Sequence, residues 1–154
     1  MSFISTKTYG HEMGFSCAFR QWRAQSHCRL VHGYSMGFKF IFEAQNLDVR
    51  NWVVDFGGLE PLKQILKDNF DHTTIVAEDD PELDWFKEAD RRGILRLVVF
   101  PAAGCEKFAE MLGQACSQLL RDMGYGTRVA LLSCEVREHG ANSAIWVNDN
   151  AGQE

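Results

Sequence analysis

Cys28-Arg29-Leu30-Val31-His32-Gly33-Tyr34 joins a thiol, an imidazole and a glycine, and it runs directly into the apolar stretch Met36–Phe42. From Tyr34 to Ala44 aromatic residues alternate with small or polar ones. Phe38, Phe40 and Phe42 therefore share one face, the mark of a long half-buried strand. A thiol four residues before a histidine, at the mouth of such a strand, offers acid/base or metal chemistry on a rigid support. Tyr34 stands two residues beyond His32 and shares its face, where a second metal-binding imidazole would be useful.

Working outward, residues 12–19 are short and largely apolar and read as a strand, and Arg20–Ser26 reads as a polar loop. Trp52–Phe56 reads as a second strand, paired with Tyr34–Ala44 through a turn around Asn46–Asn51. Gly57-Gly58 breaks it, with Asp55 placed to cap the next helix. In that helix Leu59, Leu62, Ile65 and Leu66 recur at helical spacing up to Asn69. Asp71–Ala77 reads as a loop or short strand, and Asp79-Asp80-Pro81 as the start of a second helix reaching about Arg92. Ile94–Phe100 is a predicted strand, Cys105 to Gly124 the longest helix, and Arg128–Arg137 and Ser143–Trp146 closing strands. Strands and helices in this order predict one α+β domain over residues 1–154, an antiparallel sheet with helices on one face.

The chain has 154 residues, enough to bury a core without disulfides. Its net charge is −5 and no lysine/arginine block occurs, which argues against nucleic acid, since phosphate backbones need a concentrated basic surface. No apolar run approaches the roughly 20 residues of a membrane span. Met1–Ser5 lacks a basic segment followed by an apolar core, so a cytoplasmic location is expected. The five cysteines include no CxxC pair and read as reduced thiols, most of them buried. Cys28 departs from that reading because its neighbours are polar.

Two further groupings carry chemistry. An aspartate beside a histidine, as in Asp71-His72, orients and polarises the imidazole for proton transfer. Glu138, at the end of an otherwise apolar strand, can accept two adjacent N–H donors of a planar ring. Solvated polar groups are the plain alternative for both. The five histidines show no paired zinc signature of the CxxC or HxxxH kind.

Six segments in consistent order resemble the family of 6-pyruvoyl tetrahydropterin synthases and bacterial 6-carboxytetrahydropterin synthases. Phe15-Ser16-Cys17-Ala18-Phe19 resembles the family's Phe-x-Ala-Ala-His, and Cys28-x-x-x-His32-Gly33-Tyr34 its Cys-x-x-x-His-Gly-His. Val54-Asp55-Phe56 resembles Ile/Val-Asp-Phe, and Phe70-Asp71-His72 resembles Leu-Asp-His. Cys105-Glu106-Lys107-Phe108-Ala109 resembles the helix start Thr-x-Glu-Asn-x-Ala, and Val136-Arg137-Glu138 the terminal Val-x-Glu-Thr.

The resemblance implies a tunnelling fold, with residues 79–100 as an inserted helix and strand. It also implies a homo-oligomer built on a trimeric ring, possible stacking to a hexamer, and active sites between subunits. It makes Cys28 the catalytic thiol, Asp71 and His72 its acid/base partners, and Glu138 and Glu106 substrate-binding residues for a pterin such as 7,8-dihydroneopterin triphosphate. Arg20, Arg23 and Arg29 are candidate contacts for the triphosphate. Family members hold zinc on three histidines, but here only His32 matches, with Phe19 and Tyr34 in the other two positions. Phenylalanine cannot ligate, and a neutral tyrosine with a pKa of about 10 is a poor zinc ligand. Gly104 and His139 replace threonines next to the ring-binding positions.

Three readings stand open: a pterin lyase of the 6-carboxytetrahydropterin synthase type; a zinc-free or rebuilt-site enzyme, the latter using His11, His27 or His139; and a non-catalytic oligomer that binds a pterin- or purine-like ring.

Overall fold

The computed structural model describes residues 1–151. The aromatic alternation builds its central strand. In β4 (Gly37–Ala44), Phe38, Phe40, Phe42 and Ala44 are all buried on one face. β1 (Phe3–Tyr9) and β7 (Val129–His139) flank β4, and β8 (Asn142–Val147) extends the sheet beyond β7, giving the order β1-β4-β7-β8 with every pair antiparallel. Along β7 the pairing with β4 slips by one residue: Ile41 faces Ser133 while Phe42 faces Leu131, leaving Leu132 without a partner. Buried positions accordingly run Val129 and Leu131, then Cys134 and Val136.

The longest helix, α3 (Cys105–Asp122), lies against β7 and β8, and α1 (Glu60–Phe70) packs beside it. Leu62, Leu66 and Phe70 of α1 join Phe108, Leu112, Cys116 and Leu120 of α3 in one core with the β4 aromatics. Gly113 brings α3 close to the sheet, since a Cβ there would overlap the ring of Trp146.

A second sheet has the order β3-β2-β5-β6, formed by β2 (Ser16–Phe19), β3 (His32–Ser35), β5 (Thr73–Ala77) and β6 (Leu97–Phe100). β2 runs antiparallel to β3 and parallel to β5, which runs parallel to β6. α2 (Leu83–Arg91) packs on β5 and β6. The helix and strand expected between Asp79 and Phe100 are thus present, and β6 lengthens this sheet. No helix among the described residues is long and apolar enough to cross a membrane.

Four expectations need correction, and one strand was not expected. Tyr34–Ala44 is two strands, because the chain changes sheets at Met36, whose N–H donates to the Phe15 carbonyl at 2.9 Å. Residues 52–56 form no strand. Arg128 donates to the carbonyls of Trp52 (3.3 Å) and Val53 (2.9 Å), and Asp55 N–H donates to the Tyr125 hydroxyl (3.0 Å), so side chains replace a ladder. β1 escapes the sequence pattern because most of its residues, Ile4 among them, are exposed. The second helix begins at Leu83, because Asp80 turns inward to Arg20 and accepts the Glu82 N–H at 2.8 Å, forming a turn first. Asp55 does not cap α1 itself, whose N-cap is Leu59; its Oδ1 accepts from Gly57 (3.0 Å) and Gly58 (3.3 Å) and so holds the single 3-10 turn that precedes the helix.

Two measurements check this packing. Gly113→Ala is expected to lower the unfolding free energy by about 1–3 kcal/mol in urea denaturation, the overpacking cost. In an open helix the same change would raise it by about 1 kcal/mol. The Arg20 guanidinium holds the Asp80 carboxyl below its ordinary value of 3.8. A depressed carboxylate stabilises the fold above its unfolded pKa and loses that contribution as pH falls through the folded one. The melting-temperature advantage of the native chain over Asp80→Asn is therefore expected to hold at neutral pH and shrink progressively below about pH 4.

Candidate active site

Phe19 lies opposite His32 across the β2–β3 ladder, and Tyr34 lies opposite Cys17. Gly33 permits this pairing: a Cβ on it would stand 2.5 Å from the Cys17 carbonyl oxygen. The rings of Phe19, His32 and Tyr34 converge as a result. Centroids lie 5.1 Å apart for Phe19 and His32, 5.6 Å for His32 and Tyr34, and 6.3 Å for Phe19 and Tyr34. His139 extends the row at 5.7 Å from Tyr34. Phe19 itself is 2% exposed and meets Phe108 edge-on at 5.2 Å, so it belongs to the core as much as to the site.

These residues do not fit a zinc ion. His32 Nδ1 faces the Leu30 carbonyl at 2.7 Å, which leaves only Nε2 of one imidazole as a donor to a metal. Burial, then the charge of Glu138 and the thiols of Cys28 and Cys105, raises the Tyr34 pKa, so its phenol stays protonated at neutral pH. Among the described residues no three His, Cys, Asp or Glu side chains gather as a metal group. A rebuilt site on His11 or His27 is not formed either. The His11 ring lies beyond the far end of β3, with Nδ1 on the Ser35 carbonyl at 2.5 Å, and His27 is exposed.

Cys28 sits in the single turn His27–Arg29, capped by the Ser26 hydroxyl, which accepts its N–H at 3.3 Å. Its carbonyl accepts the Gln21 N–H at 2.9 Å, closing the loop between β2 and β3. Cys28 is partly exposed, whereas Cys17, Cys105, Cys116 and Cys134 are buried. Across the site, Cys105 opens α3. Burial, followed by the neighbouring Glu138 carboxylate, drives its thiol pKa strongly upward. Glu138 has no partner across β8, since Arg137 pairs with Ser143 and His139 with Asn142. Its carboxylate stands beside the Cys105 thiol at the start of α3.

Glu106 follows Cys105 and is exposed. Gly104 has φ +125°, a backbone conformation that glycine alone adopts readily, and a Cβ there would overlap the Gln21 amide. Gln21 thus fills the space beside the position where the family carries threonine.

Asp71 and His72 form a tight pair, Nδ1 to Oδ1 2.6 Å, but the chain does not bring them to Cys28. His72 donates its N–H to the Ser16 carbonyl at the opening of β2, while Cys28 lies past its end, and β2 alone spans about 10 Å. His72 is held at φ +57°, uncommon for a non-glycine residue, with its side chain 85% exposed. Of the three arginines, Arg20 is bound to Asp80 and Arg23 to Asp79, leaving Arg29 exposed. Cys105 and Gln21 are site neighbours that sequence reading missed. A buried-looking cysteine and a loop glutamine carry no pattern, and only the glycine at 104 hinted at crowding.

A profile of 6-pyruvoyl tetrahydropterin synthase matches residues 9–149. The chain belongs to that family. A 6-carboxy-5,6,7,8-tetrahydropterin synthase of Rickettsia conorii is 31% identical over 70 residues, 45% of this chain and 51% of that relative. The Rickettsia felis protein of the same name is 32% identical over 60 residues, 38% of this chain and 44% of its own. The chain thus spans about half the length of the curated relatives it matches. Among solved structures, an uncharacterized protein of Wolinella succinogenes superposes with TM-score 0.82 at 19% identity, covering 97% of this chain and 99% of that one. Plasmodium falciparum 6-pyruvoyl tetrahydropterin synthase gives 0.62 at 16% identity, covering 96% and 98%. At these identities the structures establish the shared tunnelling fold.

Elemental analysis of purified protein is expected to find well under one zinc per chain. Installing Phe19→His and Tyr34→His beside the native His32 is expected to raise this toward one, because the three positions already converge.

Proposed function

We propose that this chain binds a pterin ring against Glu138 and cleaves its side chain, as a lyase of the 6-carboxytetrahydropterin synthase type that works without resident zinc. The observation that supports this reading is the convergence of the rings of Phe19, His32, Tyr34 and His139, with Cys28 in the adjoining loop the one thiol of the five that is not buried. The names of the Rickettsia relatives supply the reaction class, and 7,8-dihydroneopterin triphosphate is the first substrate to test.

In this mechanism Glu138 accepts two adjacent N–H groups of the ring and fixes its orientation. The Cys28 thiolate takes a proton from a side-chain carbon that bears oxygen, becoming a thiol. The electron pair released moves into the conjugated C=N of the ring, while the protonated Tyr34 hydroxyl donates a hydrogen bond to a side-chain oxygen. A second proton carrier is still needed to complete side-chain cleavage. Asp71-His72 has the required polarised imidazole but lies at the wrong end of β2 to serve the Cys28 of its own chain.

A neighbouring copy resolves this. β1 and β8 are the open edges of the first sheet and expose Phe3, Ile4, Ile145 and Val147, surface that a ring of subunits would cover. In such a homo-oligomer, a trimer or stacked pair of trimers, each site takes Cys28 from one subunit and His72 from another.

Incubation with 7,8-dihydroneopterin triphosphate is expected to release acetaldehyde or triphosphate. Cys28→Ala is expected to lower kcat by about 100-fold or more, the scale of a lost acid/base group. Glu138→Gln is expected chiefly to raise KM, by about tenfold or more, since a hydrogen bond to a charged group is lost. Mixed oligomers of Cys28→Ala and His72→Ala chains are expected to recover activity that neither shows alone. Unchanged substrate with the ring still tightly bound would favour the non-catalytic reading, which the broken metal triad supports.

A further inference from the structure

The loop that carries Cys28 is anchored to the inserted segment by three side chains. Arg20, the first residue after β2, grips Asp80 with both Nε (2.8 Å) and Nη2 (2.6 Å). The Asp80 side chain is 1% exposed, so this is a two-pronged ion pair in the interior, where geometry is held most firmly. Trp22 Nε1 donates to Asp79 Oδ1 at 3.1 Å, and Arg23 Nη2 to Asp79 Oδ2 at 2.8 Å. The Arg23 guanidinium also lies 4.1 Å from the Trp22 ring centroid, joining the outer two anchors to each other.

The receiving side is itself fixed. Asp80 N–H donates to the Ala77 carbonyl (3.0 Å), Leu83 N–H to the Asp80 carbonyl (3.0 Å), and Glu78 N–H to the Phe100 carbonyl of β6 (2.8 Å). Gln21, between the anchors, passes the constraint on by donating its N–H to the Cys28 carbonyl. Two consecutive acids at the head of the insertion therefore hold three of the first four residues of the thiol loop. They also neutralise two arginines that would otherwise present positive charge to a substrate.

We infer that the segment from Asp79 to Phe100 is a brace for the thiol loop, with Asp80 and Arg20 as positioning residues that set the place of Cys28. This rests on the reading of Cys28 as the working thiol, and the test separates the two. Because Cys28 alone of the five cysteines is not buried, native-state alkylation by iodoacetamide, counted by mass spectrometry, reads the loop directly and needs no turnover.

Arg20→Lys keeps the charge but loses the fork, and is expected to speed the first labelling event about tenfold. Asp79→Asn at an exposed position and Trp22→Phe at a half-buried one are expected to speed it about threefold each. In all three the other four thiols stay protected. Asp80→Asn strips a buried arginine of its partner. Should it fail to fold, the other variants carry the test. Labelling of all five cysteines together, or native labelling rates in Arg20→Lys and Asp79→Asn, would overturn the brace. Where turnover is measurable, Arg20→Lys is expected to lower kcat with KM little changed. Faster labelling with native kcat would leave the brace standing and remove Cys28 from the chemistry.

Discussion

Phe108 is the side chain on which the second sheet and two of the helices meet, linked through Phe70 to the first sheet. Its ring contacts Phe19 of β2, Phe70 of α1 and Phe100 of β6 at centroid distances of 5.2, 5.5 and 5.8 Å, mostly edge to face. Phe70 in turn meets Phe38 of β4 at 5.0 Å. Such aromatic contacts add to the large area each ring buries, and here they tie four elements distant in sequence to the start of α3. The chemistry of the site depends on that packing. Phe19, at a position where the family carries a metal-binding histidine, is committed to this cluster, and a polar ring there would be drawn out of it.

Much of the fold was legible because its strongest signals are local. The β4 aromatics, the helical spacing of α1 and α3, and the helix and strand of the insertion each arise from periodicity over a few residues. The features that escaped were choices made by distant partners. Nothing near Met36 announces that the chain leaves one sheet for the other; the Phe15 carbonyl decides it. Val53 and Val54 look like strand residues because they are buried, but Arg128 donates to the Val53 carbonyl and the Tyr125 hydroxyl accepts the Asp55 N–H, both from far along the chain. Asp80 has the sequence context of a helix cap yet forms half of an interior ion pair, because its partner sits sixty residues upstream.

The site was legible in part and for a related reason. Family motifs singled out Cys28, His32 and Glu138 as candidates, and the structure puts the last beside Cys105 at the α3 start. Motifs could not say that Asp71-His72 belongs to the opposite end of β2, nor that Arg20 and Arg23 are already engaged. In the zinc-free mechanism proposed above, polarisation comes from hydrogen bonding, a weaker and more directional influence than a divalent charge. An enzyme of this kind depends correspondingly more on how closely its thiol and carboxylate are held.

The unpaired Leu132 of β7 determines which residues of that strand face the helices. Up to Leu131 the odd-numbered residues of the strand face the helices, and from Cys134 the even-numbered ones do. A strand keeps its parity for as long as nothing is inserted, so this single extra residue acts as a phase change carried as far as Arg137, where a second irregularity leaves Glu138 unpaired. Were Leu132 held in the regular ladder, Ser133 and Glu135 would turn toward the helices in place of Cys134 and Val136. The polarity of the core face is thus settled by counting rather than by contact.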